Sequence, residues 1–142
     1  MITMITDRIG IGDSSDGRQV PPGIDAVLNV AVDLDIPLTQ GNVYRHKVGL
    51  LDGPGNDDAL LLSAVMVLHA LNKRHNRVLV HCHEGKSRSV MVVSAFVAIV
   101  GGMEFDKVLK DIMKARGVTD YRPALYAQYQ QLIPTLRRLI RP

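Results

Sequence analysis

An α/β domain with a central, mostly parallel sheet of about four to five strands flanked by helices is the fold class this sequence predicts. Three observations carry it. Short apolar runs bounded by turn residues alternate with longer helical stretches, the pattern of strands joined by crossover helices. Those runs, AVLNVA at 26–31 and VLV at 78–80, are apolar at nearly every position, which suits strands covered on both faces. The 142 residues make a single domain, 1–142, long enough to bury roughly two thirds of its unfolded surface without staples.

The elements follow in chain order. Ile9 and Ile11 alternate before Asp13, Ser14, Ser15, Asp16 and Gly17, so a short strand ends in a turn. The tandem Met-Ile-Thr ahead of it receives no role. Pro21-Pro22-Gly23 breaks the chain before the run at 26–31, and residues 43–51 read as a further strand closed by Asp52-Gly53-Pro54-Gly55. Asn56-Asp57-Asp58 then opens a helix, because short acceptor side chains cap free N–H groups and acids suit the positive end of the helix dipole. After the strand at 78–80, residues 89–100 are apolar on nearly every side, which predicts a buried helix. Residues 104–116 are amphipathic, with Phe105, Val108, Leu109 and Ile112 on one face. Leu125, Tyr129, Leu132, Ile133, Leu136 and Ile140 mark a last helix, expected to kink at Pro134. Helices should cover both faces of the sheet.

Composition removes several functions. Hydrophobic residues at 46% and charged residues at 22% are ordinary globular usage, which excludes a disordered chain. One cysteine, Cys82, excludes a disulfide scaffold. The longest apolar candidate, residues 90–103, contains Ser94, Gly101 and Gly102 and falls short of a membrane span. No basic segment followed by an apolar one stands at the start, so a cytoplasmic protein is expected. The net charge of +3 favours anionic ligands mildly. With no Trp, four Tyr and two Phe, however, the aromatic platform on which single-stranded bases stack is missing, and nucleic acid is not the expected partner.

The segment VLVHCHEGKSRS, residues 78–89, concentrates the chemistry. A buried strand runs into a loop holding Cys82, Gly85, Arg88, Ser87 and Ser89, and a helix starts at once. Backbone N–H groups at a helix N-terminus converge on an anion, and the same field favours a thiolate at Cys82 over the thiol. Arg88 lies where the loop closes over its own start, and its planar fork can hold two phosphoryl oxygens. A thiolate facing a bound phosphate is an arrangement for covalent phosphoryl transfer. Gly85-Lys86-Ser87 is not the end of a nucleotide-binding P-loop, since that motif needs glycine where Val80 stands. Three adjacent residues, His81, Cys82 and His83, cannot all reach one zinc ion, so no metal is expected. An inert buried cysteine beside a capping serine would leave Gly85, Arg88 and Ser89 unexplained together.

The run His81-Cys82-His83-Glu84-Gly85-Lys86-Ser87-Arg88-Ser89 resembles the HCxxGxxR[ST] signature of cysteine-dependent protein tyrosine phosphatases, in details their dual-specificity branch. The resemblance extends to RIGIGD near the start, GIDAVLNVA at 23–31, an Asp loop at 52 and the helical tail. It implies a dual-specificity phosphatase-like fold with Cys82 as nucleophile. It also implies a phosphate-binding loop of His83, Glu84, Gly85, Lys86, Ser87 and Arg88, with Ser89 stabilising the departing thiolate. His81 would orient the loop and help keep the thiolate charged. Family members place a general acid on a mobile loop about thirty residues before the cysteine, where Asp52 stands; Asp57 and Asp58 suit helix capping better.

The implied reaction needs no metal or organic cofactor. Its expected partners are a phosphorylated protein or peptide, with phosphate or another oxyanion in the loop. Compared with longer tyrosine phosphatases, the short chain implies a shallow pocket open to phosphotyrosine, phosphoserine and phosphothreonine. Lys86 departs from the usual residues of that branch and raises phosphoinositides, or other highly anionic non-protein substrates, as the alternative. A phosphate-reading binding module and a sulfurtransferase are further alternatives, disfavoured respectively by the intact Cys, Arg and Asp set and by the upstream Asp.

Overall fold

The computed structural model of the chain describes residues 1–141. Five strands form one sheet: β1 (Thr3–Met4), β2 (Ile9–Gly12), β3 (Ala26–Ala31), β4 (Tyr44–Leu50) and β5 (Val78–His81), in the order β1-β2-β5-β3-β4. Four run parallel, and β1 pairs antiparallel with β2 through Thr3↔Ile11 and Met4↔Gly10. The centre goes to β5, whose four residues are all buried. Val78 faces Ile9 on one side and Ala26 on the other, and Val80 faces Ile11 and Leu28. Because β2, β3, β4 and β5 share one direction, the loops after them gather at one end of the sheet. Ligand sites of parallel α/β sheets form at that end.

Five helices flank the sheet, unequally. The long ones are α2 (Asp58–Arg74), α3 (Arg88–Gly101), α4 (Phe105–Arg116) and α5 (Pro123–Leu139). They share one core with Ala26, Leu28, Val78 and Val80. Side chains alternate across a strand, so Leu79 and His81 face the other way. On that second face lies α1 (Ser14–Arg18), whose Gly17 packs against the His81 ring. The segment expected as a turn is therefore a short helix. A capping box forms it: the Asp13 carboxylate accepts from Asp16 N–H at 3.1 Å, and the Asp16 carboxylate accepts from Asp13 N–H at 3.0 Å.

Eleven residues of α3 are buried, as its apolar circumference predicts, and a left-handed Gly102 ends it. The amphipathic α4 buries Phe105, Val108, Leu109 and Ile112 as expected. Leu125, Tyr129, Leu132, Ile133 and Leu136 seat α5, which continues through Pro134 as one helix, and buried Ile140 is its C-cap. Among the described residues no helix is long and apolar enough to cross a membrane.

Candidate active site

The loop between β5 and α3 is built on backbone geometry. Gly85 sits at φ +71°, a left-handed conformation that side chains other than hydrogen disfavour. A Cβ there would also lie 2.5 Å from the Gly12 carbonyl oxygen. The turn is held to the rest of the fold by the Ser14 N–H, which donates to the His83 carbonyl at 2.9 Å.

Cys82 stands at the base of this loop, 3% exposed, with its Sγ 3.2 Å from Ser89 Oγ. Arg88 is buried at the start of α3. Its Nη1 donates to Asp33 Oδ1 at 2.5 Å and to the Leu50 carbonyl at 3.0 Å. The Arg88 Nε and the Ser87 Oγ are both buried and have no hydrogen-bond partner among the described residues. Buried polar atoms are almost always paired, so these two are donors suited to an oxyanion. The Arg88 guanidinium, by its hydrogen bond, holds the Asp33 carboxyl below the usual carboxylate range against the opposing effect of desolvation.

His81 is fully buried beneath the cysteine. Its Nδ1 lies 3.2 Å from the Cys82 carbonyl, and burial pushes its pKa below the ordinary histidine range. The ring is thus neutral near pH 7 and can orient the loop by donating to that carbonyl.

Asp52 follows β4 on the opposite wall, with its side chain 30% exposed. Arg122 Nε, at the start of α5, donates to Asp52 Oδ2 at 3.1 Å. The segment carrying Asp52 is pinned by the buried Asn56. Asn56 Oδ1 accepts from Leu51 N–H at 2.8 Å, and its Nδ2 donates to the carbonyls of Leu51 at 2.9 Å and Gly53 at 3.3 Å. Asp57 is the N-cap of α2 by position but makes no side-chain capping bond, and Asp58 accepts from Gln128 Nε2 at 2.8 Å. Neither lines the cavity. A cavity of about 390 Å³ brings together Cys82, His83, Glu84, Lys86, Ser87 and Arg88 on one side with Asp33, Asp52 and residues 120–122 on the other.

Nothing in the sequence points to Asp33 or Arg122, and Asn56, expected to help open a helix, instead holds Leu51 and Gly53. Asp33 follows β3 as Asp52 follows β4, so the sheet order, had it been known, would have pointed to it.

A buried thiol, a serine within hydrogen-bond reach of it, an arginine with an unpaired buried donor and a carboxylate across the cavity define a site of the cysteine-dependent phosphatase kind. The dual specificity phosphatase catalytic domain family matches residues 18–132, and the chain belongs to that family. Protein-tyrosine-phosphatase IBR5 of Arabidopsis thaliana is 34% identical over 110 residues, covering 77% of this chain and 40% of that protein. Dual specificity protein phosphatase 13B of Mus musculus is 30% identical over 149 residues, covering 96% and 75%. Among solved structures, DUSP15 superposes with a TM-score of 0.82 at 20% identity, covering 97% of this chain and 93% of its own. The chain thus spans less than half of the Arabidopsis relative.

Proposed function

We propose that the chain hydrolyses phosphate monoesters through a cysteinyl-phosphate, acting on phosphotyrosine and phosphoserine/threonine of proteins. The observation that carries this is the pairing of Cys82 and Ser89 at 3.2 Å beside an Arg88 whose buried Nε is unpartnered. In this reading the phosphoryl group sits in the loop, held by backbone N–H groups and Arg88. The Cys82 thiolate attacks phosphorus in line as the ester P–O bond breaks. Asp52 gives its proton to the leaving oxygen, which departs as alcohol or phenol. Ionised Asp52 then takes a proton from water, whose oxygen attacks phosphorus. The S–P bond breaks, Ser89 Oγ hydrogen-bonds the departing thiolate, and inorganic phosphate leaves. Donors fixed in advance around the phosphoryl group supply the main stabilisation. Arg88 stays oriented by Asp33 and Leu50 throughout.

The surroundings favour a phosphoprotein over a more anionic substrate. Each cation of the cavity wall already has a carboxylate: Arg88 with Asp33 at 2.5 Å, Arg122 with Asp52 at 3.1 Å, and Lys86 with Glu84 at 3.7 Å. Asp120 adds a fourth acid to the same wall. Little positive charge is left for a second phosphate. A reducing compartment such as the cytoplasm suits the reaction, because it requires Cys82 as a free thiol. The test is a panel of phosphotyrosine, phosphoserine and phosphothreonine peptides beside a phosphoinositide. Vanadate-sensitive turnover of the peptides is expected; activity confined to the phosphoinositide would contradict the reading.

A further inference from the structure

We propose that Arg116, remote from the reacting atoms, is a positioning residue that aims a backbone donor of the phosphate-binding loop; this rests on the loop binding phosphate as read above. Arg116 is the last residue of α4. Its Nε donates to the Gly85 carbonyl at 3.0 Å, at the apex of the loop. Its Nη1 donates to Thr3 Oγ1 at 3.1 Å and also to the Met1 carbonyl. A Cβ on Gly85 would come within 2.5 Å of Arg116 Nη2.

The geometry of a trans peptide turns this into a statement about the site. A carbonyl and the N–H of the next residue point in opposite directions across one plane. The Gly85 carbonyl is drawn outward by Arg116, so the Lys86 N–H is turned inward, to the side where Lys86, Ser87 and Arg88 line the cavity. The Ser14 N–H does the same to the His83 carbonyl at 2.9 Å, which turns the Glu84 N–H inward. Two of the loop's peptide planes are therefore set from behind. One donor is backbone and the other is a side chain, so only the second can be removed without altering the main chain. Arginine suits the task because its fork reaches the loop and β1 together, whereas a lysine offers a single point of charge. Met1 and Thr3 of the N-terminal Met-Ile-Thr thereby become the anchor of that fork. A cation at a helix C-terminus is favourable in any case, but that alone would not place Nε on Gly85.

The test is orthovanadate inhibition of Arg116→Met, which keeps the apolar stem and removes the donors, and of Arg116→Lys, against wild type. Misdirecting one donor to a charged ligand should weaken vanadate inhibition about tenfold in Arg116→Met. kcat/KM should fall by the same factor on p-nitrophenyl phosphate and on phenyl phosphate, because the defect lies in the cradle and not in proton donation. Arg116→Lys should recover part of the affinity through one donor to Gly85. Wild-type vanadate affinity in Arg116→Met, with or without a lower melting temperature, would overturn the proposal. Should that variant fail to fold, Thr3→Val removes one anchor of the fork and should weaken vanadate about twofold; unchanged affinity there overturns it equally. A wild-type chain without vanadate-sensitive turnover refutes the phosphatase reading itself, a result recognisable before any variant is made.

Discussion

The two walls of the cavity are made in different ways. The wall that would hold phosphate is mostly backbone, with a buried Cys82, a buried Arg88 and a glycine turn held by Ser14 and Arg116 from behind. The wall that would supply the proton is made of side chains, where Asp52 is partly exposed and meets an Arg122 that is 61% exposed. The first resembles a core in its order, because charge stabilisation works best when its donors are fixed before the reaction. The second has to approach leaving groups of different sizes, and an ion pair between exposed side chains holds it weakly. Substitutions should accordingly fail in different ways on the two walls.

The largest effect belongs to the first wall. Cys82→Ser should lose essentially all turnover while a phosphoester still protects the folded chain against thermal unfolding, because the alcohol cannot serve as the thiolate nucleophile. Measurable catalysis in that variant would remove the covalent mechanism. Next comes Asp52→Ala, expected to lower kcat/KM on poor leaving groups by roughly 10²–10⁴ while lowering it much less on aryl phosphates with good leaving groups. Asp57→Ala and Asp58→Ala should leave catalysis nearly intact; a loss there comparable to that of Asp52→Ala would move the acid to the start of α2.

Asn56→Ala probes how firmly the second wall is held. It leaves the Leu51 and Gly53 backbone groups short of partners, at a cost of about 1–3 kcal/mol in chemical denaturation. Its turnover should fall more on poor leaving groups than on good ones. Equal losses on both would mean that Asn56 supports the phosphate loop as well. Lys86→Ala should do little, since an exposed pair such as Lys86–Glu84 is worth about 0–1 kcal/mol. A selective loss on a phosphoinositide would instead give Lys86 a substrate role.

The smallest effect is in pH dependence. Burial holds the His81 pKa below 6.5 in the folded chain, so only the unfolded chain takes up this proton as pH falls through that value. Stability should therefore drop as pH falls below about 6.5 and level off only under the depressed folded pKa. His69, lowered by burial and by Lys73, acts in the same sense. Melting temperatures at pH 7.5 and 5.5 check this: His81→Asn should narrow the difference, and a difference as wide as in wild type would assign the effect elsewhere.

Much of this was legible in sequence wherever the signal is local. Apolar runs marked β3 and β5, circumferential hydrophobicity marked α3, and the spacing of residues 81–89 marked the loop. The expected turn at 13–17 became a helix because a capping box between Asp13 and Asp16 outweighs a composition typical of turns. The two-residue β1 is too short for any periodicity to announce it. Asp33, Arg116 and Arg122 escaped for a different reason. Their partners lie 55, 31 and 70 positions away, respectively, beyond the reach of local reasoning. The wall carrying Cys82 is written in one contiguous stretch, whereas the wall carrying Asp52 is assembled by the sheet order and by α5.

The covalent intermediate is tested most directly by acid-quenching Asp52→Ala during turnover of p-nitrophenyl phosphate and mapping the phosphoryl group by mass spectrometry. Without Asp52 to activate water, the second step should be the slow one, so a burst of nitrophenol should precede steady turnover. Phosphate should appear on the peptide containing Cys82, bound to sulfur and absent when Cys82 is replaced. A burst with the phosphoryl group on any other residue, such as Ser87 or Ser89, would contradict it.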